Sequence, residues 1–286
     1  MISSTTGRYC DFQKLSTRGK STRLASGHRF KHDERGIFVL RKTLIGWLAA
    51  IGIAMATQTM AEETLRVGVT PTGVPFTFVD TATRKPTGAM VDLASAIAAN
   101  LGTTADFQVN AFPALIPALT TDKINLISAS MFITDKRKQV IDFSTPVYAY
   151  GEAMFVAAGD SKNYTIEELR GETVGAQIGS TYADALEALG VFGQVKLYDS
   201  IADMMRDVVL GRIKAGFGDA PIVAYQLSKN PELGVRLVDG YRPMKKGEVA
   251  LAVAKENPLL LEKVNASIAK LKESGELSRI FAKYGL

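Results

Sequence analysis

Short apolar runs and amphipathic segments alternate along residues 64–286. "TLRVGV" (Thr64–Val69) reads as a buried strand that ends in the Pro/Gly-rich loop "TPTGVP". "GAMVDLASAIAANLG" spaces Met90, Leu93, Ile97 and Leu101 at intervals of 3, 4 and 4. That is one face of a helix, stopped by Gly102. "ADFQVN" predicts a strand, "ALIPALT" a short helix and "INLISAS" a third strand. The β-α-β-α-β order is that of a parallel sheet with helices on its faces.

The order restarts after Val147. "GEAMFVAA", "ETVGAQIG", "QVKLYD", "IKAGFGD" and "VRLVD" read as strands, and "STYADALEAL", "SIADMMRDVVLG" and "APIVAYQLSKN" as helices. "EVALAVA" reads as one more strand. Asn257-Pro258 then opens a helix with Leu261, Val264, Ile268 and Leu271 on one face, since Pro at the first helical position needs no backbone donor. Two α/β units of roughly 100 residues each are a comfortable domain size.

Net charge of +5 averages two unlike pieces. Of the 34 Lys/Arg and 29 Asp/Glu, ten and three fall in residues 1–61, which leaves 24 against 26 from Glu62 onward. The basic character belongs to the leader and carries no implication of a nucleic-acid partner. Arg41 and Lys42 precede the apolar run Leu44–Ala56, and a small residue, Ala61, stands before Glu62-Glu63. This is the pattern of an export signal over residues 41–61, with cleavage after Ala61 or after Ala56. The run is too short for a spanning helix, which needs about 20 residues. Residues 1–40 are polar and without hydrophobic period. They read as disordered or as the product of an upstream start codon.

Removing that leader removes Cys10, His28, His32 and Trp47, so residues 62–286 hold no Cys and no His. A thiolate nucleophile, an imidazole base, a disulfide and the usual zinc or copper ligand sets are therefore excluded there. No lipid-attachment Cys stands at the cleavage point, and the exported product is expected to be soluble and periplasmic.

A basic triplet, Lys136-Arg137-Lys138, stands in "SASMFITDKRKQVIDFS" between two apolar runs. Taken alone, it reads as a solvated face. In order along the chain, "LRVGV", "PFTFVD", "PTGAMVDLASAIAANLG" and "FPALIPALTTDKINLISASMFITDKRKQVIDFSTPVY" precede "VGAQIGSTYADAL", "GRIKAGFGDAPIVAY" and "VALAVAKENPLLLEKVNASIAKLKESGELSRIFAKYG". Together these segments resemble the amino-acid-type extracellular solute-binding proteins, family 3, of bacterial ABC importers. The resemblance implies an α/β, two-lobed periplasmic-binding-protein fold of type II, each lobe a mixed sheet flanked by helices, with two crossover strands. Lobe one is then 64–146 plus 248–286, and lobe two is 147–247. The ligand lies between them, where open α/β sheets bind ligands, outside the carboxyl ends of the strands. An ABC permease is the implied protein partner, the chain is expected to be a monomer, and no cofactor is implied.

The resemblance also assigns residues. Arg137 pairs with the ligand's α-carboxylate, as a planar fork can and a Lys point charge cannot, while Lys136 and Lys138 stay solvated. Asp219 accepts the α-ammonium, and its place before Ala220-Pro221 also suits a helix N-cap, a role that does not exclude the first. Ser180 and Thr181 open a helix whose free N–H groups favour an anion; one is expected to cap while Thr181 meets the carboxylate. Ser130 hydrogen-bonds ligand, Phe112 covers its side chain, and Phe132 stands where relatives carry Ser or Thr. Phe76 is read as site or core with equal weight.

Three departures bear on specificity. Thr70 stands where relatives that bind basic amino acids have Asp, and Gly73 where they have an aromatic. Gln177 is neutral where an acidic ligand would want a cation. Without an acid at Thr70, a basic side chain would be desolvated without a partner, so a neutral amino acid, polar or modestly apolar, is expected. Two other functions remain open: a periplasmic enzyme like cyclohexadienyl dehydratase, which would need a cleft acid of raised pKa, and a binder of a compatible solute of the ectoine type, boxed by Phe112 and Phe132. Retention of Asp219 favours a primary ammonium over the latter.

Overall fold

β1 (Leu65–Val69) buries Leu65, Val67, Gly68 and Val69, as a strand covered on both faces by helices must. The computed structural model describes residues 64–286; the export signal read at 41–61 and the leader at 1–40 lie outside the described residues. After β1 comes a small antiparallel sheet of β2 (Thr72–Gly73), β3 (Thr77–Val79) and β4 (Pro86–Thr87). Gly88 then turns the chain into α1 (Ala89–Asn100) at φ 129°, a conformation L side chains avoid, and a Cβ there would meet the Phe76 carbonyl. Met90, Leu93 and Ile97 lie buried on the expected face of α1. β5 (Ala105–Val109), α2 (Leu115–Thr120), β6 (Leu126–Ile127), the one-turn α3 (Asp135–Lys138) and β7 (Ile141–Phe143) follow.

The ten-residue β8 (Tyr148–Ala157) carries the chain into a second sheet. β9 (Thr173–Gln177), α4 (Thr181–Leu189), β10 (Gln194–Tyr198), α5 (Ile201–Val209), β11 (Ala215–Asp219), α6 (Ala220–Lys229) and β12 (Val235–Leu237) build it. α5 buries Ile201, Met204, Met205 and Val208, each contributing about 1.5–3 kcal/mol of apolar burial. β13 (Lys246–Val249) pairs antiparallel with Tyr148–Gly151 of β8, and β14 (Ala252–Ala254) returns the chain to the first sheet. α7 (Pro258–Glu273) and α8 (Glu276–Ala282) finish the described chain.

Strand order is β5-β1-β6-β14-β7 in the first sheet and β10-β9-β11-β8-β12 in the second, with β13 on β8. Both sheets are mixed. β5, β1 and β6 run parallel, as do β10, β9 and β11, whereas β14, β8, β12 and β13 pair antiparallel. The chain thus passes between the sheets twice, along β8 and along β13. Among the described residues no helix is long and apolar enough to cross a membrane.

One reading from sequence is corrected. "EVALAVA" is two strands in two sheets, because the Leu251 N–H leaves the ladder for the Ser144 hydroxyl at 3.0 Å. The helix opened by Pro258 is capped by the Asn257 side chain and ends at Glu273. Gly275, at φ 69°, starts the separate α8.

Gly247 on β13 has no room for a side chain: a Cβ would lie 2.6 Å from the Phe132 ring. Gly247→Ala is expected to cost about 1–3 kcal/mol through overpacking, read as a lower urea midpoint at unchanged slope. Gly159→Ala, in open space, is expected to stay within about 0.5 kcal/mol of the parent.

Candidate functional site

The carboxyl ends of β1, β6, β9 and β11 converge on a cavity of about 30 Å³, the position where doubly wound sheets place ligands. Nine of the ten residues assigned from sequence line it: Thr70, Phe112, Ser130, Phe132, Arg137, Gln177, Ser180, Thr181 and Asp219. A wider groove of about 740 Å³ shares Phe112, Arg137, Ser180 and Thr181 with it, so these four side chains form the partition between inner cavity and outer groove.

Thr134 accepts from the Arg137 N–H at 3.1 Å and caps the single turn of α3. Successive side chains on such a turn point about 100° apart, at 3.6 residues per turn. Arg137 turns inward and is 8% exposed, while Lys136 and Lys138 face out. The guanidinium donates to the Phe132 carbonyl at 2.7 Å and to the Gly179 carbonyl at 3.0 Å. Its carbon stands 5.6 Å from the centre of the Phe112 ring, within cation–π range. Burial pulls its pKa below the ordinary arginine value, opposed by Tyr150, Asp184 and Asp219.

Asp219 is the opposite pole. Its Oδ2 accepts from the Tyr150 hydroxyl at 2.7 Å and its Oδ1 from the Tyr182 hydroxyl at 3.0 Å. Burial raises its pKa to about 6, with Glu152 in the same sense, while the two phenols and Arg137 hold it down. Glu152, paired in register with Asp219, is itself satisfied by the Tyr241 hydroxyl and the backbone N–H groups of Met244 and Lys245. Both phenols have pKa values raised well above the ordinary tyrosine value, by burial first and then by Asp219.

Elsewhere the helix start behaves as its sequence suggests. Ser180 caps α4, accepting from the Ala183 N–H at 3.1 Å and donating to the Gln177 carbonyl at 2.7 Å. The Thr181 hydroxyl is buried and has no hydrogen-bond partner among the described residues. Ser130 holds a left-handed backbone, φ 48°, which costs a non-glycine residue about 1–2 kcal/mol. The Gln177 amide donates to the Asp199 carbonyl at 3.1 Å.

Two expectations need correction. Phe76 does not line the cavity: it is fully buried and stacks behind the wall on Tyr150, ring centres 5.6 Å apart. The Asp219 side chain caps no helix, because both oxygens are taken by tyrosines. The Thr70 hydroxyl, on the cavity wall, shares a hydrogen bond with that of Thr77 at 2.5 Å. Lys136 stays exposed as expected, and its ammonium meets Asp184 of α4 at 3.1 Å. Sequence reasoning also missed Tyr150, Tyr182 and Ile222 in the lining. Tyr182 was within reach, as the residue following the assigned Ser180-Thr181 pair; nothing local to "YAYGE" marks Tyr150.

One permanent cation and one carboxylate on the walls of a single cavity offer complementary ends to a small zwitterion. Two mixed sheets joined by two crossing strands around such a cavity define a two-lobed solute-binding protein. Residues 65–286 match the family model for bacterial extracellular solute-binding proteins, family 3, and the chain belongs to that family. It is 31% identical over 234 residues to ABC transporter arginine-binding protein 1 of Escherichia coli strain K12, covering 82% of this chain and 95% of that one. An ancestral arginine-binding protein bound to glutamine superposes with a TM-score of 0.71 at 35% identity, over 78% of this chain and 97% of that one. An ancestral amino acid-binding protein, a precursor of cyclohexadienyl dehydratase, gives 0.70 at 31% identity, over 77% and 95%.

The Asp219 environment has a measurable consequence. With a folded pKa near 6 against 3.8 for the ordinary group, the fold favours the protonated acid. The cost of ionising it is absent below the unfolded value, grows between the two and is constant above. Asp219→Asn is therefore expected to be more stable than the parent at pH 7.5, by up to about 3 kcal/mol at 1.36 kcal/mol per pKa unit. The advantage should vanish below pH 4. Thermal melts of both proteins across that range check it, and a parent that is the more stable at pH 7.5 contradicts it.

Proposed function

We propose that this protein is the periplasmic substrate-binding component of an ABC importer and that its ligand is a neutral amino acid, polar or modestly apolar. One observation carries the ligand assignment: among the described residues, the cavity lining holds one cation, Arg137, and one carboxylate, Asp219. Arg137 takes the α-carboxylate, joined by the free Thr181 hydroxyl, and Asp219 takes the α-ammonium. No second acid stands at Thr70 to meet a basic side chain, and desolvating one without a partner costs several kcal/mol. The ligand class thus differs from the arginine in the name of the Escherichia coli relative.

Lobe one, in this reading, is 64–146 with 248–286, and lobe two is 147–247. Arg137 and Phe112 come from the first and Thr181 and Asp219 from the second, so one ligand touches both. Because the ligand's contacts come from both lobes, the lobes part to admit an amino acid and close on it. A ligand shifts such an equilibrium through its differential affinity for the two arrangements, and the closed form is what the permease engages.

A thermal-shift screen followed by calorimetry tests this. At 100 times its dissociation constant a ligand stabilises the fold by about 2.7 kcal/mol. Neutral amino acids are expected to bind more tightly than arginine, lysine or glutamate. Arg137→Lys should weaken the winner at least tenfold, about 1.4 kcal/mol. Lys136→Ala, in an exposed pair, should change it less than about fivefold. Arginine as the tightest ligand would refute the neutral class, and equal losses in the two variants would refute the clamp.

The raised pKa of Asp219, about 6, supports a second reading, a dehydratase that uses it as general acid. Turnover of a cyclohexadienyl substrate by the wild type and not by Asp219→Asn would establish that reading in place of binding alone.

A further inference from the structure

Tyr150 has been described only as a donor to Asp219, yet its hydroxyl lies beside the acceptors that the ammonium end of a zwitterion would meet. The oxygen lies 2.7 Å from Asp219 Oδ2 and 3.1 Å from the Ser130 carbonyl. One phenol has one proton. It goes to the charged and nearer acceptor, because hydrogen bonds to ionised groups are the stronger ones. The phenol oxygen then keeps its own lone pairs, and the Ser130 carbonyl beside it stays free to accept. Ser130, in its left-handed conformation, belongs to the loop after β6, whereas Asp219 ends β11. Tyr182, 1% exposed, holds the other carboxylate oxygen from α4 and fixes the plane of the carboxylate.

The ring is as firmly placed as its oxygen. It packs against Phe132 with centres 4.5 Å apart and stacks on Phe76 at 5.6 Å and 25°. Phe132 can lean there because Gly247 has no side chain to obstruct it. A primary ammonium has three N–H donors, and three acceptors meet at this point: the carboxylate of Asp219, the oxygen of Tyr150 and the carbonyl of Ser130.

We propose that Tyr150 is a ligand-positioning residue that donates to Asp219 and accepts from the ligand's α-ammonium, which makes the site selective for an unsubstituted primary amino group. The proposal rests on the amino-acid reading above. A 2-hydroxy acid, with one donor, spends it on Asp219 and gains nothing from Tyr150. An N-methyl amino acid has two donors, and its methyl group displaces one acceptor contact.

The test uses the exported protein, wild type and Tyr150→Phe, with Tyr148→Phe as a control from the same aromatic cluster. The probes are the twenty amino acids with their 2-hydroxy and N-methyl counterparts, measured by thermal shift and calorimetry. For the tightest amino acid, Tyr150→Phe is expected to lose at least tenfold in affinity, and its 2-hydroxy counterpart less than threefold. Wild type should reject the N-methyl form by at least tenfold, a comparison that needs no variant, and Tyr148→Phe should behave as wild type. The pH midpoint of amino-acid binding should rise in Tyr150→Phe, since Asp219 loses a donor that stabilises its charge. Equal losses for amino and hydroxy acids with an unmoved midpoint would reduce Tyr150 to a structural role. Tolerance of N-methylation by the wild type would also overturn the proposal. Both outcomes leave the amino-acid reading standing; a wild type that responds to no amino acid removes both.

Discussion

A guanidinium that cannot shed its charge is buried between two sheets, and much of the rest of the structure follows from keeping it there. Placing such an ion out of water costs several kcal/mol unless its donors are met. The Phe132 and Gly179 carbonyls meet Arg137 from opposite sides of the cavity, and the face of Phe112 covers it. The one-turn helix α3 aims it, with Thr134 as cap. The three consecutive cations therefore have three surroundings, because a helical turn separates neighbours that the sequence sets side by side. Arg137 goes in, Lys136 reaches Asp184 on α4, and Lys138 stays beside Asp135.

Among the described residues, Lys136–Asp184 is the ion pair that joins an element of the first sheet's side to one of the second's; the other pairs lie within one side or the other. It is exposed, and exposed pairs contribute about 0–1 kcal/mol and less at high salt. It can bias the two sides toward each other without fixing them, which suits the lobe opening proposed above.

How much of this was legible in the sequence depended on whether the cause was local. The helical faces of α1, α5 and α7 could be read because a 3.6-residue period is written in consecutive positions, and the α4 cap because Ser180 acts on Ala183 three residues on. The break in "EVALAVA" could not be read, since it depends on Ser144, over a hundred residues away. Tyr150 was missed for the same reason. The register of β8 on β11 sets Glu152 opposite Asp219, and so brings Tyr150, two residues before Glu152, to the carboxylate. Thr70 was read as the neutral residue in place of an acid, and its partner Thr77 is supplied by the small sheet that follows β1. A residue type and a motif could locate the two charges; they could not say which neutral groups would hold them.

Those neutral groups decide what the site is. Arg137 and Asp219 line one cavity but form no ion pair with each other. Had they touched, the fold would hold a buried salt bridge, with both charges spent and no preference for any solute. Instead the cation rests on two carbonyls and the carboxylate on two phenols. Each keeps its charge in place at a tolerable solvation cost, and each keeps capacity for one more partner. The raised pKa of Asp219 is the residue of that arrangement, a sign that phenols replace water only in part. In the reading proposed above, a solute carrying both signs, spaced as in an α-amino acid, completes the solvation of both groups at once. The fold therefore supplies separation of charge as much as charge itself, and the tyrosines that the sequence did not announce are what maintain it.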